Sequence, residues 1–97
     1  MKDRRFLCYR TSTSYLGGKI ENDRLRIESN VYGDGDRYPY DVEAIYDFSE
    51  EMTRRLFGII TLENFIALCA EKCVTGMERF LDENDIKYEK FTWWSDN

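Results

Sequence analysis

Two stretches of this chain alternate, residue by residue, between apolar and polar side chains. In "RLRIES" (24–29), Leu25 and Ile27 fall on one side and Arg24, Arg26 and Glu28 on the other. In "YDVEAIYDF" (40–48), Tyr40, Val42, Ala44, Tyr46 and Phe48 alternate with Asp41, Glu43, Ile45 and Asp47. Successive side chains of a strand leave opposite faces of a sheet. A period of two with one polar row therefore calls for an antiparallel sheet, buried on one face and wet on the other. "FLCYRTST" (6–13) is rich in β-forming residues and reads as a further strand.

The turns bear on the register. Asn22-Asp23 closes a short hairpin that sets Ile20 opposite Leu25. Asp34-Gly35 is a type I′ hairpin signal, which sets Leu25 opposite Ala44, Ile27 opposite Val42 and Arg26 opposite Glu43. A turn at Gly35-Asp36 instead slips the pairing by about two residues, keeps both faces and sets Arg24 opposite Asp47. Both registers stay open at this point. Gly17-Gly18 reads as a turn.

The second half has helical spacing. Ser49 is an N-cap with Glu50 and Glu51 in the first turn, ahead of a stripe of Met52, Leu56, Ile59 and Ile60. Thr61 caps a second helix, with Ile60 and Phe65 as a hydrophobic staple and Leu62, Phe65, Ile66, Cys69 and Cys73 as its apolar stripe. Thr75 to Glu78 has capping-box spacing and opens a third helix with Val74, Met77 and Leu81 as its buried edge, ending near Asn84. "DIKYEKFTWW" (85–94) returns to strand composition and inserts beside an earlier strand. The expected order is β-β-β-β-α-α-α-β. This is an α+β fold, a mostly antiparallel sheet with helices packed on one face. The reading is of one domain over 1–97: a β-meander at 5–48, a helical part at 49–84 and a strand at 86–94.

Absences narrow the chemistry. The 97 residues contain no histidine, which removes Ser-His and Cys-His nucleophilic systems and the commonest metal ligand. Three cysteines cannot all pair within one chain and point to a reduced, cytoplasmic setting. No apolar run has membrane-span length and no leader pattern follows Met1. Cys69 and Cys73 are four apart on one helix side, a spacing for buried packing rather than for zinc or CxxC redox chemistry.

Charge is unevenly placed within the net −5. Residues 1–30 carry +3 and residues 31–97 carry −8. Residues 31–51 hold seven acids and one base, Arg37, a balance that repels nucleic acid and attracts basic surfaces. The stretch "NVYGDGDRYPYD" (30–41) concentrates this charge. As a calcium loop starting at Asp34 it fails: Asp36 fits the third position, but Tyr38, Pro39 and Ile45 stand where a ligand, a glycine and a glutamate belong. It reads as a hairpin turn. Asp41, Glu43 and Asp47 project from one strand face below it, where pairing with Arg24 and Arg26 or simple solubility is the plainer account. Basic residues with aromatics in "KDRRFLCYR" (2–10) fit a protected strand edge better than a single-strand binding surface. In "FTWWSDN" (91–97), alternation gives Phe91 and Trp93 one face and Trp94 the other, so one tryptophan is expected to be buried and one exposed.

These features point to a non-enzymatic, cytoplasmic protein-binding module that meets a basic protein surface. Inhibitors, antitoxins, immunity proteins and nucleic-acid mimics have this size and charge. The expected contact residues are Asp34, Asp36, Tyr38, Asp41, Glu43, Asp47 and Trp94. No catalytic residue, cofactor, metal, direct nucleic-acid contact or membrane contact is expected, and the chain is expected to be a monomer or homodimer. The rival readings are a small enzyme using Asp/Glu or Cys chemistry, and a structural domain that pairs its C-terminal strand between chains.

Overall fold

The computed structural model describes residues 1–32 and 40–96. Strands β1 (Arg4–Arg10), β2 (Ser14–Glu21), β3 (Arg24–Val31) and β4 (Tyr40–Asp47) are followed by helices α1 (Glu50–Ile59) and α2 (Leu62–Glu83) and strand β5 (Glu89–Asp96). The strands form one antiparallel sheet in chain order, β1-β2-β3-β4-β5, so the last strand returns beside β4. Both helices lie on one face. The expected α+β architecture is the observed one.

The β2–β3 hairpin follows its turn residues. Asn22 and Asp23 have φ of 53° and 61°, the left-handed values that a type I′ turn needs, and Ile20 pairs with Leu25. The β3–β4 register matches neither expectation. Arg26 pairs with Asp47, Ile27 with Tyr46, Ser29 with Ala44 and Val31 with Val42. The observed pairing seats the buried Leu25 and Ile27 beside Phe48 and Tyr46, two of the largest fully buried side chains. The displacement is by an even number of residues, so every side chain keeps its expected face. The turn residues Asp34 and Gly35 lie outside the described residues.

Gly17 and Gly18 are not a turn but the middle of β2. A Cβ on Gly18 would stand 2.7 Å from Phe6 Cζ and 2.6 Å from the Arg26 carbonyl oxygen. The missing side chain is what lets the Phe6 ring lie across β2 toward Ile27. Across from the glycines, β1 carries a bulge: Leu7 pairs with Gly17 and Tyr9 with Leu16, which leaves Cys8 as the extra residue.

The core lies between the sheet and the helices. Leu16, Ile20, Leu25, Ile27, Tyr46 and Phe48 supply the sheet side; Leu56, Phe65, Cys69, Met77 and Leu81 supply the helix side. Both expected caps form: Ser49 Oγ accepts from Met52 N–H at 3.1 Å and Thr61 Oγ1 from Asn64 N–H at 3.2 Å. Ile59, expected on the buried stripe, is exposed. The second and third expected helices run on as the single element α2, broken at Cys73, which has φ 61° and ψ −166°. The break falls before Thr75, so Thr75 lies within the second segment instead of capping it. It also turns Cys73 outward, whereas Cys69 is fully buried; the apolar stripe of the second helix therefore stops at Cys69.

Candidate functional site

The sheet face away from the helices is open. Strand alternation places Arg24, Arg26 and Glu28 of β3, Asp41, Glu43, Ile45 and Asp47 of β4, and Glu89, Phe91 and Trp93 of β5 on that face. The register decides which charges are already engaged. Arg26 donates from Nε to Asp47 Oδ1 at 2.7 Å and from Nη2 to Oδ2 at 3.1 Å, a two-pronged pair. The hydrogen bond from Arg26 holds the Asp47 carboxyl below the ordinary carboxylate range. Asp47 is thus committed to the fold rather than offered to a partner. Asp41 is half-buried beside Val42 and pairs in register with Ser95.

Glu43 is different. It is exposed between Asn30 of β3 and Trp93 of β5, its cross-strand neighbours. One position along, Ile45 pairs with Phe91. Phe91 and Trp93 stack with ring centroids 6.3 Å apart and an interplanar angle of 26°, and Trp93 is 50% exposed. Glu43, Ile45, Trp93 and Trp94 line an open hollow of about 480 Å³. A carboxylate beside an exposed indole and an aliphatic floor fits the head and stem of an arginine or lysine. The carboxylate takes the charge, and the ring face takes the cation or the methylenes.

Neither tryptophan is buried, contrary to expectation: Trp94, on the helix side opposite Val42, is 66% exposed. The ties from β5 to the helical layer lie at its start, where Lys90 Nζ meets Glu78 Oε2 at 3.0 Å and sits 5.3 Å from the Tyr46 ring centroid. The strand then continues past that contact. Of the other expected contact residues, Asp34, Asp36 and Tyr38 lie outside the described residues. Ile45, Phe91 and Trp93 were missed as a site. Ile45 does interrupt the acidic row of β4, and that irregularity is the trace of the patch in the sequence; its partner Phe91 becomes apparent only through the β4–β5 register.

The remaining clusters are internally satisfied. A hollow of about 330 Å³ collects Lys19, Arg24 and Arg26. Lys19 is paired with Glu21 at 3.3 Å, Arg26 with Asp47, and Arg24 Nε with the Phe48 carbonyl at 3.2 Å. The three cysteines gather where α2 meets β1 and its bulge. The neighbouring Cys69 pushes the Cys8 thiol down and Cys8 in turn pushes the Cys69 thiol up, while burial, with Cys73 nearby, raises the Tyr9 hydroxyl. Among the described residues, no group of three or more acidic, cysteine or histidine side chains is placed to hold a metal ion. No described helix is long and apolar enough to cross a membrane. No family model, curated protein or solved structure matches the chain.

Proposed function

We propose that the chain is a non-catalytic protein-binding module that receives a basic segment of a partner on the β4–β5 strip of its open sheet face. The observation that carries this reading is the Glu43–Trp93 cross-strand pair, with Ile45 and Phe91 beside it. Exposed tryptophan is a favoured anchor at interfaces, and the acidic balance of residues 31–97 supplies a field that steers a basic partner. The free thiols suit a reducing, cytoplasmic setting. An inhibitor or antitoxin acting on a nucleic-acid-binding protein is the role that fits this chemistry.

The test is amide chemical-shift mapping with a short arginine-rich peptide as probe, followed by the Glu43→Gln and Trp93→Ala variants. The expected result is a cluster of shifts at Glu43, Ile45, Phe91 and Trp93 that weakens with salt and disappears in Trp93→Ala. Shifts spread over all the acidic residues, with no dependence on Trp93, would sink the reading.

A further inference from the structure

The two edges of the sheet are built differently. β1 carries Arg4, Arg5 and Arg10 and is interrupted by the bulge at Cys8. Charged side chains and bulges are the means by which sheet edges avoid pairing with other chains. β5 has no interruption along its eight residues; its charges, Glu89, Lys90 and Asp96, stand at its ends, and between them it exposes Phe91, Trp93 and Trp94. Among the described residues, no strand lies beyond it.

The direction of its backbone groups follows from the pairing. Phe48 N–H donates to the Leu25 carbonyl at 3.1 Å. Backbone groups alternate in direction along a strand, so Tyr46, Ala44 and Val42 are turned toward β3, and Asp47, Ile45 and Glu43 toward β5. Their partners Glu89, Phe91 and Trp93 face back toward β4. The N–H and C=O groups of Lys90, Thr92 and Trp94 therefore point at the open edge.

We propose that this edge pairs with β5 of a second copy, antiparallel, about a two-fold axis through Thr92. In this register Phe91 meets Trp93 of the second copy on the open face. On the helix side Lys90 meets Trp94 of the second copy, its methylene stem against the indole while its ammonium stays on Glu78, and Thr92 meets itself. Each outward N–H and C=O of Lys90, Thr92 and Trp94 finds a partner, and no like charges meet along either row. An axis through Lys90 sets two lysines face to face, one through Phe91 sets Glu89 against Trp93, one through Trp93 sets Thr92 against Trp94 in place of itself, and one through Trp94 leaves Phe91 and Lys90 with no partner in the strand. The seam is one short strand, well under the roughly 1,000 Å² of a stable interface, so the dimer is weak and concentration-dependent. The proposal does not rest on the partner reading: a dimer that ignores arginine-rich peptide leaves it standing.

Sedimentation equilibrium under reducing conditions, from about 10 μM to about 1 mM, tests it. The expected result is a monomer–dimer equilibrium. Thr92→Pro removes the outward N–H, a change an edge strand tolerates, and shifts the chain to monomer with its far-UV spectrum unchanged. Thr92→Glu and Thr92→Lys each weaken the dimer by about tenfold or more, and a one-to-one mixture of the two restores it, because only in this register does position 92 face itself. The charge pair carries the test should the proline variant fail to fold. A wild-type chain that stays monomeric throughout, a dimer indifferent to all three substitutions, or a mixture that fails to restore pairing each overturns the proposal.

Discussion

Arg26 and Asp47 face each other across β3 and β4 and share two hydrogen bonds, 2.7 Å and 3.1 Å long. The pair lies beside the register in which Leu25 reaches Phe48. Because Arg26 holds the Asp47 pKa below its usual value, the linkage has a definite sign. The contribution is fully present above the unfolded-state carboxylate pKa, near 4, and is lost as pH falls through the lower folded-state value. Asp47→Asn should cost about 0.5–1 kcal/mol at neutral pH, the scale of a well-formed surface pair. It should also flatten the loss of stability below about pH 4. Urea melts of both proteins between neutral and acid pH measure this; parallel curves would mean that the pair contributes nothing.

Leu25 N–H has an unusual partner. The Phe48 carbonyl that would complete the ladder there accepts instead from Arg24 Nε, and Leu25 N–H donates to Thr53 Oγ1 of α1 at 3.0 Å. The same hydroxyl donates to the Ser49 carbonyl at 2.8 Å. Thr53 is fully buried, so Thr53→Val keeps the shape and orphans a buried N–H, at a cost of about 1–3 kcal/mol. Thr53→Ser should recover part of that. Thermal melts rank the variants, and exchange of the Leu25 amide should quicken in the valine variant alone.

Two glycines should respond in opposite directions to the same change. Gly18→Ala drives a methyl group into Phe6 and the Arg26 carbonyl, and should destabilise by about 1–3 kcal/mol. Gly58 lies in α1 with nothing within 4 Å of an added Cβ. Gly58→Ala should stabilise by about 0.4–1 kcal/mol through the unfolded chain's lost freedom. Equal melting temperatures for the two variants would contradict the packing described for Phe6.

The thiols should separate by reactivity. Cys73 is exposed, Cys8 half-buried and Cys69 fully buried. The neighbouring Cys8 and burial push the Cys69 thiol up. Timed alkylation of the native protein, read by peptide mass, should label Cys73 first and Cys69 only on unfolding. Labelling of Cys69 at the rate of Cys73 would show that α2 does not seal against β1 there.

The alternating stretches determined by themselves that β3 and β4 have one buried and one open face, because a strand's side-chain period is set by backbone geometry and survives any even slip in register. Asn22-Asp23 and the caps Ser49 and Thr61 were likewise readable, since each satisfies nearby backbone groups with local chemistry. The register itself was not local. It depends on Leu25 and Ile27 reaching Phe48 and Tyr46 across the sheet. The fate of the acids followed from it: Arg26 neutralises Asp47, while Glu43 stands exposed beside Trp93. The exposure of both tryptophans had the same origin. Alternation assigns them opposite faces of β5 but cannot say that the strand runs past Lys90, its contact with the helical layer. Local periodicity names the faces; only the packing of distant elements decides which parts of those faces are covered.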